Sequence, residues 1–429
     1  MSGLLALLFA AGLLASLPIA IAMGLAGAVV LVAADIASPL IIAQRLFSGI
    51  DSFPLMAIPF FILAAELMSG GGITDLLLRF AVQVVGRIRG GLGHANILMS
   101  VFFGGISGSA LADAAGPGSL IIRMMRQAGY AAPYAAALTA SSAIIAPIIP
   151  PSIIMVIYAL TDNSVSVSGL FIAGIVPGLM MATALAVTNH LISLRQGLGG
   201  GQARQPWSRF LREDWSVLPA LLLPFIILGG IHGGVFTPTE ASAVAVFYAL
   251  AIGFLVTRTL TVALLPGILV RTALMTSAVL LIISMASVFA WMLTSLQIPQ
   301  EISRFLLGLG LPPLGLLVAI AAFLLACGLV IDTLPAVIIL VPILAPVATA
   351  AGIDPLQFAM IVILNLTIGM ITPPVGGVLF VIVVVARIPM GAIVRAIWPF
   401  LAAHLVVLAA LILFPGLSNG LPGLMGYTR

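Results

Sequence analysis

The stretch from Val101 to Tyr158 is too apolar for a soluble protein and too interrupted for an ordinary membrane helix. It reads VFFGGISGSALADAAGPGSLIIRMMRQAGYAAPYAAALTASSAIIAPIIPPSIIMVIY, with Gly, Ser, Thr, Asp113 and a Pro-Pro pair scattered through it. In lipid every backbone polar group needs an internal partner, so such breaks are tolerated only where they are buried in protein or line a cavity. A second stretch, from Ala326 to Ile382, has the same layout. Ala128-Gly129 is echoed by Ala351-Gly352, and Pro150-Pro151 by Pro373-Pro374. Subtracting 128 from 351, or 150 from 373, gives 223 in both cases. At that spacing Ser109 falls on Asp332, Ala110 on Thr333, Ser142 on Asn365 and Ile149 on Thr372. The repeat rests on ungapped punctuation rather than on identity. Interrupted segments in corresponding halves point to a transporter's midplane site.

Composition places the chain in a membrane. It is 62% hydrophobic and 7% charged, against roughly 45–50% and 25% in soluble domains. Its net charge of +4 comes from 16 basic residues, all arginine. In a membrane protein these report topology rather than nucleic-acid binding. Cys327 is the single cysteine, which excludes an internal disulfide and a cysteine zinc site. His94, His190, His232 and His404 show no ligand spacing, and no cofactor is expected. No basic residue precedes Arg45, so a secretory signal is not indicated. The run from Gly3 to Val32 reads as one long or Pro18-broken spanning helix.

The chain divides into a first half (1–194), a linker (195–216) and a second half (217–429). Gly49 to Ile73 is a span, with Glu66 capping or pairing locally near its end. Thr74 to Arg89 reads as an amphipathic interfacial helix bearing Arg79, Arg87 and Arg89. Residues from about 92 to 127 are too short on either side of the small, polar centre to cross about 30 Å of hydrocarbon. They read as a re-entrant hairpin. A broken helix over 133–160 follows, interrupted at Pro147 and Pro150-Pro151-Ser152, where prolines leave carbonyls one turn earlier free. Gly169 to Leu194 spans. The linker, with Gly199-Gly200-Gly201, Arg195, Arg204, Arg209 and Arg212, is expected to be cytoplasmic, and with it Arg123 and Arg126 at the hairpin base. In the second half Thr237-Pro238-Thr239-Glu240 reads as a capping box. A second hairpin is expected at about 314–348 and a second broken helix at 355–386.

A hard monovalent cation takes oxygen ligands: hydroxyls, carboxylates and free carbonyls. Sodium candidates are Ser107, Ser109, Asp113 and Ser142 in the first repeat, and Asp332, Thr333, Asn365 and Thr372 in the second. Helix N-termini at the same breaks suit an anionic group. Gly108, Ser141, Pro150, Thr372 and Pro373 are the candidates for holding a small anionic substrate. Close packing equally explains any single serine. It explains Asp113 and Asp332 less well, since an intramembrane carboxylate costs about 2.5–3.5 kcal/mol on insertion scales. Two other readings stay open. Gly105-Ile106-Ser107-Gly108 matches a G-x-S-G pattern of intramembrane serine proteases, with His190 on a later helix as base. A passive channel would conduct without coupling, although no ring of charges supports it.

GIDSFPLMAIPFFILAAELM, FFGGISGSALAD, SSAIIAPIIPPS, GGVFTPTEASAVAVFYAL and NLTIGMITPPVG together resemble the large membrane subunit of TRAP (tripartite ATP-independent periplasmic) transporters, over nearly the whole chain. The resemblance implies an all-α polytopic protein of about 10–12 transmembrane helices. They form two inverted repeats, each with a re-entrant hairpin and a broken helix, in an elevator-type fold. It implies a sodium-driven, non-enzymatic importer of a C4-dicarboxylate, sialic acid or another sugar acid in a bacterial or archaeal inner membrane. It implies two partners, a small four-helix membrane subunit and a periplasmic substrate-binding protein, with the small subunit expected as a separate chain. The family's sodium regions map to Ser107, Asp113, Ser141 and Ser142, and to Asp332, Asn365 and Thr372. Gly116-Pro117-Gly118, inside the first hairpin, departs from the pattern and is expected to bend that hairpin's second arm more than usual.

Overall fold

The computed structural model describes residues 1–35, 37–198, 206, 208, 210, 215–373 and 376–427, and every regular element among them is helical. Gly199 to Gly201, Arg204, Arg209 and Arg212 of the linker, and Pro374, lie outside the described residues. The first half contains α1 (Ser2–Leu14), α2 (Ile19–Ala33), α3 (Leu40–Ser48), α4 (Ala57–Gly70), α5 (Ile73–Val85), α6 (Gly91–Ser107), α7 (Ala110–Ala115), α8 (Pro117–Gln127), α9 (Ala132–Ala143), α10 (Ile153–Thr161) and α11 (Val167–Gln196). The second contains α12 (Val217–His232), α13 (Pro238–Ala251), α14 (Leu265–Ser295), α15 (Ile298–Gly308), α16 (Pro313–Gly328), α17 (Thr333–Ala350), α18 (Pro355–Gly369), α19 (Gly377–Ala386), α20 (Met390–Leu413) and α21 (Gly416–Leu424).

The N-terminal span expected from sequence is a hairpin instead. Ser16 takes a left-handed φ of 60° and Pro18 opens α2. A Cβ on Gly12 would stand 3.0 Å from Ala22 Cβ, whereas ten residues of continuous helix cover about 15 Å. Glu66 also differs: its partner is not local but Arg271 on α14, at 2.7 Å. The capping box is present, Thr237 Oγ1 accepting from the Glu240 N–H while Glu240 accepts from the Thr237 N–H at 2.8 Å.

The two halves share one register. α8 ends at Gln127 and α17 at Ala350; α9 starts at Ala132 and α18 at Pro355; α11 starts at Val167 and α20 at Met390. Each pair is separated by the same 223 residues as the sequence echoes. Both hairpins close with one cap. Gly129 and Gly352 take φ of 87° and 78°, and the following N–H bonds back five residues, Tyr130 to Met125 and Ile353 to Ala348. Those are Schellman caps, which require a left-handed residue that glycine supplies.

The hairpins enter from opposite ends of the molecule. At one end Tyr134 donates to Asn189 Oδ1 at 2.7 Å and Asn189 donates to the Gly90 carbonyl at 3.2 Å, tying the starts of α9 and α6 to the end of α11. Arg126, at the base of the first hairpin, reaches the Ala386 carbonyl at the end of α19. At the other end Gln357, in the first turn of α18, donates to the Leu411 carbonyl near the end of α20. The base of the second hairpin adjoins that end. The repeats are therefore inverted.

Among the described residues six helices are long and apolar enough to cross a membrane, by length and composition. α9 and α18 are buried nearly throughout, which suits helices apolar on every side. They form the core, with hairpins on either side. α2, α4, α13 and α14 pack on one another, with α14 also against α17 and α4 against α6, and α14 is largely exposed.

Candidate functional site

The tip of each hairpin sits on the break of the broken helix in its own half. In the first half α6 stops at Ser107 because Gly108 turns left-handed, φ 57°. Ser109 then caps α7, its hydroxyl accepting the Ala112 N–H at 3.3 Å. A Cβ on Gly108 would lie 2.5 Å from the Pro151 carbonyl oxygen and 3.0 Å from Ser152 Cα. A Cβ on Gly104 would lie 2.7 Å from Ala146 Cα. Glycine at these positions lets the tip backbone touch the turn at Pro150-Pro151-Ser152, whose Pro-Pro peptide is cis.

The break is less open than its prolines suggest. Ser152 donates to the Pro147 carbonyl at 2.6 Å and accepts the Met155 N–H. His404 of α20 bonds the Ser141 carbonyl at 3.0 Å; since a carbonyl only accepts, Nε2 carries the proton. The carbonyls of Pro147 and Ser141 are thus already partnered.

Behind the first tip lies a buried polar cluster. Asp113 on α7 is 2% exposed, and its Oδ2 is buried without a partner. Asn96 on α6 donates to Thr139 Oγ1 at 2.7 Å, and the one hydroxyl proton of Ser142 is shared between Asn96 Oδ1 at 3.3 Å and the Thr139 carbonyl at 3.1 Å. Ser141 Oγ is buried without a partner.

The second half repeats this with other chemistry. Gly328 and Gly369 bring the end of α16 against the end of α18, a Cβ on Gly369 lying 2.7 Å from the Gly328 carbonyl oxygen. Thr333 donates to the Leu366 carbonyl at 3.2 Å. Asn365 donates to the Ala321 carbonyl at 2.8 Å and its Oδ1 is buried without a partner. Thr372 donates to the Ile368 carbonyl, and Pro373 beside it is half-buried. Asp332 holds the N-cap position of α17, as Ser109 does of α7, yet its carboxylate does not cap its own helix and is exposed. It faces Gly377, the first residue of α19, where a Cβ would be 3.7 Å from Asp332 Oδ1.

The candidates fall into two clusters. Ser107, Gly108 and Ser109 meet the Pro150 turn, with Asp113, Ser141 and Ser142 behind them. Asp332, Thr333, Asn365, Thr372 and Pro373 surround the second break. Among the described residues no hydrogen bond links a candidate of one cluster to a candidate of the other. Packing joins the halves instead: α19 lies against α7, α8 and α9, and α10 against α17. Hydroxyls that donate to carbonyls, such as those of Ser142, Thr333 and Thr372, keep lone pairs free to ligate a cation. At the 223-residue spacing Asn96 meets Ala319, Thr139 meets Val362 and His404 meets Met181, so the repeat comparison passes over all three. An asparagine amid apolar residues was the available signal.

The protease reading fails on distance. The His190 ring lies 5.9 Å from that of His94, near the start of α6, while Ser107 ends the same helix. Thirteen helical residues put about 20 Å between serine and histidine, far beyond hydrogen-bond reach.

Residues 6–417 match the family model described as "Tripartite ATP-independent periplasmic transporter, DctM component". The chain belongs to this DctM family. The large permease protein SiaM of a sialic acid TRAP transporter from Vibrio cholerae serotype O1 is 43% identical over 389 residues, 90% of each chain. The large permease protein YiaN of a 2,3-diketo-L-gulonate TRAP transporter from Escherichia coli K12 is 41% identical over 409 residues, 95% of each. The crystal structure of the Alcanivorax borkumensis YdaH transporter aligns with a TM-score of 0.60 at 15% identity, covering 87% of both chains, a likeness of fold. As a DctM-family large permease the chain is a multi-pass protein of the bacterial inner membrane, and its relatives are transporters rather than enzymes. The paired hairpins and broken helices are the part of this fold where polar groups gather.

Proposed function

We propose that this DctM-family chain is the membrane engine of a sodium-coupled importer of a small organic acid. In this reading it works with a periplasmic binding protein and a small membrane subunit, in keeping with the family's tripartite description. The observation that carries the reading is the seating of each tip on its break beside buried oxygens without a protein partner: Asp113 Oδ2, Ser141 Oγ and Asn365 Oδ1. A buried oxygen without a partner costs about 1–3 kcal/mol, and a cation is the ligand that oxygens of this kind suit. Sodium binding orders the two tips. The substrate carboxylate then docks at the breaks among Gly108, Ser141, Pro150, Thr372 and Pro373, and the hairpin body slides against the group of α2, α4, α13 and α14. The arginine-rich end, with Arg87, Arg89, Arg123, Arg126 and Arg195, faces the cytoplasm by the positive-inside rule. Sialic acid and 2,3-diketo-L-gulonate, the acids named for the two relatives, support a sugar acid or similar carboxylate as cargo.

The test is thermal unfolding of the purified chain in sodium, potassium or choline. A ligand at 100 times its Kd stabilises by about 2.7 kcal/mol. Selective stabilisation by sodium is expected, lost in Asp113→Ala or Asp332→Ala. Equal stability in all three cations, together with sodium-independent uptake by the reconstituted tripartite system, would sink sodium coupling. Ion conductance without substrate would favour a passive channel.

A further inference from the structure

A cavity of about 400 Å³ opens at the arginine-rich end, outside the tips and breaks. Its walls include Tyr134 of α9, Ile192, Arg195 and Gln196 of α11, and Arg395 and Pro399 of α20. Two exposed arginines from opposite halves of the chain thus line one space. Among the described residues neither makes an ion pair, whereas Arg271 on α14 pairs with Glu66. Two cations sharing a concave wall repel each other unless an anion lies between them. Guanidinium groups suit the oxygens of a phosphate. Below them the wall is apolar, from Ile192 and Pro399. Trp398, three residues after Arg395 and so on the same face of α20, is 57% exposed. Tryptophan in that setting marks the membrane–water boundary.

We propose that this cavity binds an anionic phospholipid of the cytoplasmic leaflet. Its phosphate lies between Arg195 and Arg395, and an acyl chain runs down past Ile192 and Pro399. Basic pockets between transmembrane helices on the cytoplasmic side take such headgroups. The bound lipid joins α11 of the first half to α20 of the second. Those helices start at equivalent positions of the repeat, Val167 and Met390.

The experiment uses the full chain in neutral detergent, its thermal unfolding titrated with phosphatidylglycerol, with phosphatidylcholine as uncharged lipid and glycerol 3-phosphate as headgroup without chains. Phosphatidylglycerol should stabilise selectively. The double variant Arg195→Gln/Arg395→Gln should weaken its apparent affinity about 30-fold, from two basic groups near a surface. Arg195→Lys/Arg395→Lys should keep most of the affinity, which separates loss of binding from loss of folding. Arg87→Gln/Arg89→Gln removes equal charge from the same end and should leave the affinity unchanged. Unchanged affinity in Arg195→Gln/Arg395→Gln, or an equal loss in Arg87→Gln/Arg89→Gln, overturns the site. Stabilisation by glycerol 3-phosphate equal to that by the lipid would reassign it to a soluble phosphate.

Discussion

Gly108→Ala should be among the most damaging single-methyl changes in this protein. Two costs add at that position. The residue is left-handed, φ 57°, and an L side chain there costs about 1–2 kcal/mol. The new Cβ would stand 2.5 Å from the Pro151 carbonyl oxygen and 3.0 Å from Ser152 Cα, both backbone atoms that cannot rotate away. Such overpacking costs about 1–3 kcal/mol, so the total is about 2–5 kcal/mol. Two controls separate the terms. Gly129 is left-handed at φ 87° with nothing within 4 Å of its would-be Cβ, so Gly129→Ala carries the backbone cost alone. Gly104 is helical, and Gly104→Ala carries the steric cost against Ala146 alone. Thermal unfolding of the three variants in one detergent should rank Gly108→Ala lowest, with reconstituted uptake lost in it and retained in Gly129→Ala. If Gly108→Ala unfolds no earlier than Gly129→Ala, the tip does not sit on the Pro150-Pro151-Ser152 turn and the site geometry is wrong.

Ser152→Ala removes a fully buried hydroxyl that serves the Pro147 carbonyl and the Met155 N–H at once. It should cost about 1–3 kcal/mol in thermal unfolding, with Ser152→Thr recovering part of it. Arg126→Ala frees the last carbonyls of α19, where Arg126 Nη1 lies 3.3 Å from the Ala386 oxygen. A cation at a helix C-terminus near the surface is worth about 0.3–1 kcal/mol, so global stability should change little. Hydrogen exchange around 380–386 should rise, and an unchanged exchange pattern would remove Arg126 as a cap.

Much of the fold around the candidate site is legible in the sequence. The echo of Ala128-Gly129 in Ala351-Gly352 marks two Schellman caps in register, because a left-handed C-terminal position admits little besides glycine. Thr237 and Glu240 form their capping box because its chemistry is confined to four consecutive residues. Gly116-Pro117-Gly118 separates α7 from α8, since Gly116 takes φ −80° and ψ −92° and Pro117 starts a new helix. Other readings failed for reasons equally local. Pro18 announces a break in the N-terminal run, but a proline does not say whether the arms continue across the bilayer or fold back. That was decided by Gly12 meeting Ala22 and by α2 packing on α14.

Periodicity, punctuation and composition, all carried by near neighbours in the chain, determined that this protein is a helical membrane protein built as a repeat with two interrupted segments per half. Partnerships across hundreds of residues were set by tertiary structure alone. Glu66 meets Arg271, Arg126 meets Ala386, and His404 bonds the Ser141 carbonyl. Asp113 and Asp332 look alike in sequence as carboxylates within apolar stretches, yet one is sealed inside the first hairpin and the other stands exposed beside α19. The physical reason is that burial and hydrogen bonding depend on which surfaces close over a group. In a chain whose helices are apolar on most sides, that closure is decided by helix packing and leaves no local trace.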